Sequence, residues 1–256
     1  MIWEGGNKQI SDYLKKTSIF NDILNKEVKK REDFKEELKT VTEIKILAYE
    51  KIDFVECDGV LADSNFDVLK AVANNFKSKT VWYKFKDDDL RLIREIHDLG
   101  LNNVGLALPF TEIENIKAVK ESLKSIGLEP LEEIEIGAVI EAPAAANMIE
   151  SLSEEGVDFL LVDFYKLARL SLGENLNIKN KGFMRILSNI AKVAKYYNIE
   201  AGIFGSFDEE MTAMLVNMGF DSIIVKKEDF EKTKKEVART ERRLLLNAAR
   251  KDLKEL

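Results

Sequence analysis

Two acidic residues stand where α/β folds place their chemistry. Ile136–Ile140 is a short apolar run rich in β-branched residues, as a strand buried on both faces of a parallel sheet should be, and it stops at Glu141. Val157–Val162 repeats the pattern and stops at Asp163. Carboxylates at the C-terminal ends of successive parallel strands lie at the ligand-binding face of such folds. Between them, Pro143 suits the first position of a helix and Gly156 suits a left-handed helix cap. Ser206 is a third candidate. Ser206-Phe207-Asp208-Glu209 fits a capping box after a predicted strand, which would bring an anion within reach of backbone N–H groups. The plainer reading is a cap and nothing more.

Other reactive types carry less. The single histidine, His97, falls in a helix away from the strand ends, so a histidine triad or zinc site is not expected. Cys57 precedes an apolar run and reads as a small core residue; one cysteine cannot form an internal disulfide, which points to a reducing cytoplasm. Asp87-Asp88-Asp89 reads as a helix start favoured by negative charge rather than a metal cluster. Of Glu56, Asp58 and Asp63, only Asp63 falls at the functional end of its strand. No G-x-G-x-x-G or Walker A sequence occurs. A net charge of −7 spread along the chain argues against nucleic acid as a partner. No apolar run is long enough to span a membrane, and the N-terminus lacks the order of a signal peptide. Abundant Lys and Glu beside one glutamine, Gln9, fit a thermophile.

The elements that must position these residues follow a regular rhythm. Strands are predicted at Ile44–Tyr49, Gly59–Ala62, Thr80–Phe85, Asn103–Leu108, Ile136–Ile140, Phe159–Val162, Glu200–Phe204 and Ser222–Val225. Amphipathic helical patterns fall at 65–77, 87–99, 112–126, 143–155, 183–197 and 208–218, and a long helix at 228–253. A phrase recurs in Gly100-Leu-Asn-Asn-Val, Gly156-Val-Asp-Phe-Leu and Gly219-Phe-Asp-Ser-Ile: a helix-ending glycine, an apolar plug, a turn residue, then a strand. Repeated βα units imply a parallel sheet, and eight strands imply a closed (β/α)₈ TIM barrel. Thr111-Glu112-Ile113-Glu114 fits a second capping box. The first connection, Glu50–Asp58, is short for a crossover, so irregularity is expected near the first two strands. Residues 1–43 read as a polar helical extension and 44–256 as the barrel.

The segment VIEAPAAANMIESLSEEGVDFLLVDFYKLARLSLG resembles the M-x-E-x-P…N-D-L…L-G segment of phosphoenolpyruvate synthase and pyruvate phosphate dikinase. CDGVLADSN, TVWYKFKDDD, NVGLALPFTEIENIKAVKESLKSIGL and AGIFGSFDEEMTAMLVNMGFDSIIV are similar to further segments of that family's C-terminal phosphoenolpyruvate-binding barrel, in order, from about Ile44 to Val237. The citrate-lyase and HpcH-type aldolases share a weaker version. The resemblance implies a barrel whose metal is held by a strand-five Glu and by the Asp of N-D-L. It also implies arginines gripping phosphate and carboxylate, and a cysteine passing a proton to the enolate.

Carried over residue by residue, that site is much altered. Glu141 matches the metal-binding Glu, and Lys166 stands where the second metal ligand should be. Lys84 stands at the strand-three arginine, Ser64 at the strand-two arginine, Thr111 at the P-F-V-R arginine and Ala201 at the cysteine. Lysine offers a point charge where arginine offers a planar fork, and alanine cannot move a proton. One expectation is that the Lys166 ammonium takes the place of the metal and pairs with Glu141 and with Asp163; another is that Lys166 lies on a surface turn. A third is that Asp163 replaces the lost ligand, so that Glu141 and Asp163 hold Mg²⁺.

The resemblance therefore implies a divergent barrel without phosphoenolpyruvate synthase activity. It would bind a small carboxylate or a protein partner, with Lys84, Glu141, Asp163, Lys166 and Ser206 as ligand-binding residues. The alternative is a lyase or phosphotransferase-type enzyme acting on pyruvate, phosphoenolpyruvate or a related oxoacid, with a lysine Schiff base open to it. Because the resembling synthases dimerise through this barrel, a homodimer is expected, with apolar stripes near residues 8–38 and 228–253 available for it.

Overall fold

The computed structural model describes residues 40–86, 90–109, 112–173 and 177–255. The helical reading of residues 1–39, the Asp87–Asp89 run and Thr111 lie outside the described residues. Val41–Leu256 is one compact unit. Residues 41 and 42 form a bend, and Glu43, expected within the extension, opens the first strand.

Eight parallel strands close a barrel in sequence order. They are β1 Glu43–Ala48, β2 Gly59–Ala62, β3 Thr80–Lys84, β4 Val104–Leu108, β5 Ile136–Ile140, β6 Phe159–Asp163, β7 Glu200–Phe204 and β8 Ser222–Val225. Around them lie α1 Phe66–Asn75, α2 Leu90–Asp98, α3 Ile113–Ser125, α4 Pro143–Asn147, α5 Ile149–Glu154, α6 Phe164–Leu172, α7 Lys181–Tyr197, α8 Glu209–Met218 and α9 Phe230–Glu255. No helix joins β1 to β2, yet their pairing is regular, Lys45 opposite Gly59 through Ala48 opposite Ala62. The helix expected over 143–155 is broken at Met148, where a three-residue bond from Met148 N–H to the Ala145 carbonyl tightens and ends the first piece.

The recurring glycine phrase has a physical role. Gly100, Gly156 and Gly219 take φ of 72°, 86° and 88°, a region that costs other residues strain, and each turns the chain so that the next residue plugs the core. Leu101, Val157 and Phe220 are buried there. The carboxylates of Asp58, Asp158 and Asp221 then accept from the N–H groups of Ile44, Ile136 and Ala201. These bonds tie the start of one strand to the preceding one and hold the register.

Two apolar layers result. One lies between the strands and the helices. The other, built from Leu47, Leu61, Trp82, Ala107, Val139, Phe159, Leu161, Phe204 and Ile224, fills the barrel. These residues share one phase of the period-two alternation along each strand. At the N-terminal end of the barrel Trp82 stacks on Phe159 with ring centroids 4.0 Å apart, and the Lys45 ammonium lies 3.8 Å from the Trp82 ring centroid. Lys45 also pairs with Glu43 at 2.9 Å and with Glu200, and Trp82 Nε1 donates to Glu135 at 3.1 Å. This plug needs the room left at Gly137, where a Cβ would fall 2.1 Å from the Phe159 ring.

Candidate functional site

Following the inward phase past the strand ends leads to the mouth. Two residues beyond Leu47, Leu61, Trp82, Val139 and Leu161 stand Tyr49, Asp63, Lys84, Glu141 and Asp163. The same alternation that fills the barrel with hydrocarbon therefore aims five polar side chains at its C-terminal opening.

Lys84 lies at the centre. Its Nζ is 2.9 Å from Glu141 Oε1, 3.7 Å from Asp163 Oδ2 and 3.8 Å from Asp63 Oδ2. The Phe204 ring centroid lies 5.4 Å away, within cation–π range. Lys166 enters from α6. Asp163 caps that helix by accepting from the Lys166 N–H at 3.1 Å, which fixes the first turn so that Lys166 points back over the mouth. Its Nζ donates to Glu141 Oε1 at 3.0 Å and lies 3.9 Å from Asp163. The expected pairing of Lys166 with Glu141 is present, and Lys84 joins it on the same oxygen.

Glu141 is 1% exposed, whereas Lys166 is 46% exposed at the rim. Two ammonium groups meet at Glu141 Oε1, and Oε2 has no hydrogen-bond partner among the described residues. An unmet acceptor on a buried carboxylate carries a desolvation cost of a few kcal/mol.

The charges are tuned by these contacts. Burial alone would lower the Lys84 pKa, but the Glu141 hydrogen bond and the charges of Glu141, Asp63 and Asp163 outweigh it and hold the ammonium above the ordinary lysine range. Such an amine is a poor nucleophile at neutral pH. Burial pushes Asp163 up, against the Lys166 N–H and the two lysines, with Glu141 adding to the rise. Burial and the charges of Asp63 and Asp163 raise the Tyr49 phenol.

The pair Glu141 and Asp163, expected as metal ligands, is brought together, but an ammonium stands between its two members. A divalent ion there would face two lysine cations, and a protonated amine cannot ligate it. As arranged, these residues do not fit Mg²⁺. Ser206 departs from expectation as well. Its helix begins later, at Glu209, with Asp208 as the cap accepting from Met211 N–H, because Phe207 first turns inward to pack on Phe164. Ser206 Oγ donates to Asp229 at 3.3 Å, and its carbonyl accepts from Tyr165, so both bonds turn away from the lysine–carboxylate group.

Tyr49 was not among the residues singled out in the sequence, and Asp63 only by its place at a strand end. The period-two phase would have found both. Ala201, which the resemblance set at the cysteine, lies at the start of β7 and faces the helices rather than the mouth, so the structure does not place it at a proton-transfer position.

Comparison with known proteins agrees with the barrel fold. Residues 88–242 match the family model of the PEP-utilising enzyme, PEP-binding domain. A probable phosphoenolpyruvate synthase from Archaeoglobus fulgidus is 31% identical over 175 residues, which cover 64% of this chain and 23% of that protein. Another from Pyrococcus abyssi is 34% identical over 166 residues, covering 60% and 20%. The matched part thus spans a quarter or less of the length of these curated relatives. Among solved structures, an HpcH/HpaI aldolase from Desulfitobacterium hafniense superposes with a TM-score of 0.57 at 16% identity, covering 84% of this chain and 93% of that one. A malate synthase from Haloferax volcanii gives 0.59 at 10% identity, covering 77% and 74%. At those identities the likeness is one of fold.

Proposed function

The chain belongs to the PEP-binding domain family of the PEP-utilising enzymes, and from that premise we propose that it binds a small carboxylate at the barrel mouth without forming phosphoenolpyruvate. One observation carries the reading: two lysine ammonium groups converge on Oε1 of a buried glutamate whose Oε2 is left without a partner. A ligand carboxylate pairs with Lys166 at the exposed rim, and Glu141, whose Oε2 is enclosed in the structure itself, turns on binding to accept a hydroxyl of the same ligand. A small hydroxy acid, or an oxoacid in its enol or hydrated form, offers both groups.

A second reading, a lyase or transferase acting on an oxoacid, draws on Asp163, whose raised pKa suits a proton-transfer group beside the mouth. Schiff-base chemistry at Lys84 is disfavoured, because its neighbours keep it protonated. The two readings part in one experiment. Thermal shift in EDTA with pyruvate, glycolate, lactate and oxalate is expected to raise the melting temperature of the wild type, and Lys166→Ala is expected to lose most of that shift. No shift with any of them sinks the binding reading. Turnover of pyruvate or phosphoenolpyruvate, followed by NMR, would favour the second.

A further inference from the structure

We propose that the ligand of the mouth is a small α-amino acid in its zwitterionic form, with its carboxylate on Lys166 and its ammonium on Asp63. The inference rests on the ligand reading above, shares its contact at Lys166, and narrows it from small carboxylates in general to one class.

The charge balance is the first observation. Among the described residues, the ion pairs of the mouth join three carboxylates, Asp63, Glu141 and Asp163, to two ammonium groups, Lys84 and Lys166. Lys86, two residues beyond Lys84, donates to the Ser64 carbonyl at 3.1 Å and has no recorded ion pair with them. The group therefore carries one negative charge in excess. The Tyr49 phenol at the same opening feels that excess: burial raises its pKa first, Asp63 and Asp163 raise it further, and Lys84, the weakest of the four influences, lowers it. A hydroxy-acid anion would add a second negative charge to this enclosure, whereas a zwitterion adds none.

The state of Asp63 is the second. It is the most exposed of the three acids, at 28%. Its ion pair with Lys84 is 3.8 Å long, beyond hydrogen-bond length, whereas Lys84 lies 2.9 Å from Glu141. Asp63 stands at the end of β2 and Lys166 follows the end of β6, four strands away around a closed barrel of eight. Lys84 reaches all three acids, and Lys166 pairs with Glu141 and Asp163 only, so Lys84 stands between an exposed cation and an exposed anion. An α-amino acid laid across it meets opposite charge at each end. A hydroxyl donor asks Glu141 to turn, but an ammonium reaches Asp63 with Glu141 left on its two lysines. The bond it makes there is charged on both sides, roughly twice as strong as a neutral one.

The test compares molecules of the same shape, L-alanine against L-lactate and glycine against glycolate, by calorimetry at neutral pH on the full chain. Wild type is expected to bind each amino acid about tenfold or more tighter than its hydroxy acid. Asp63→Asn, or Asp63→Ala where the asparagine variant fails to fold, is expected to lose about tenfold for alanine while lactate binds as well as before or better. A residue that only props the mouth would weaken both ligands alike, and that result overturns the proposal. So does a wild type that binds lactate as tightly as alanine, an outcome that leaves the broader carboxylate reading standing. If none of the four binds, that reading falls and takes the proposal with it.

Discussion

The barrel buries a lysine at each end, and the two are satisfied in different ways. At the base, Lys45 is 1% exposed, but its partners Glu43 and Glu200 are 49% and 33% exposed and keep their contact with water. The Trp82 face supplies the rest of its environment. At the mouth, Lys84 meets Glu141 and Asp163, which are 1% and 10% exposed. The base leaves the neutral Ser222 hydroxyl unpartnered, whereas the mouth leaves an oxygen of a charged group. Charge at the base is thus shared with solvent and serves packing. Charge at the mouth is enclosed around Glu141 and incompletely matched, which supports the proposed ligand reading. Conserving the same residue types at both ends would therefore mean different things, stability below and recognition above.

The largest effect expected from this contrast is at the base. Trp82→Ala removes the plug that stacks on Phe159 and carries Lys45, and should cost about 3–5 kcal/mol in urea unfolding while sparing ligand binding in the folded fraction. Exchanging the lysines comes next. Lys84→Met strips one of two partners from a buried glutamate and should cost about 2–3 kcal/mol, less than a fully orphaned charge because Lys166 remains. Lys45→Met leaves carboxylates that return to water, and should cost under about 1 kcal/mol. Equal costs at the two ends would break the comparison.

A paired change sharpens it. Lys84→Met with Glu141→Leu replaces an enclosed ion pair by hydrocarbon of similar size. Stability should return to within about 1 kcal/mol of wild type. The thermal shift with small carboxylates should vanish at the same time. A double variant that recovers stability and still binds would show that the enclosed charges are structural.

Much of this contrast was legible in the sequence at one end only. Strand positions were, since Gly59–Ala62, Ile136–Ile140, Glu200–Phe204 and Ser222–Val225 stand as apolar runs between turn residues. Glu141 and Asp163 were, because a charge that ends a buried run marks a strand end. Pairing of Lys166 with Glu141 followed from alignment, not from spacing. The base was not legible. Lys45 sits within β1 and reads as an ordinary charged interruption, and its role depends on Trp82 and Glu200, which only barrel closure brings beside it. Ser206 misled because a capping box is a local signal. The choice between Ser206 and Asp208 was made by the burial of Phe207, a tertiary contact.

The smallest effect concerns two of the acids whose pKa values are raised, Glu135 at the base and Asp163 at the mouth. Much of Glu135 is exposed, but its Oε2 lies against the Trp82 indole, and burial there, with Asp158 and Glu200 nearby, raises its pKa against the Trp82 hydrogen bond. Asp163 is raised first by burial too. A carboxyl held above its unfolded value contributes stability that is fully present below that value and is lost as pH rises through the folded one. Glu135→Gln keeps an acceptor for the indole N–H and removes the charge. It should therefore match wild type below the carboxylate range and melt higher at neutral pH, by less than about 2 °C, with ligand binding unchanged. Asp163→Asn should show the same sign in its melting profile but lose ligand response, because that carboxylate caps α6 and holds Lys166 in place. If both substitutions left binding intact, the mouth would be no more than a second base.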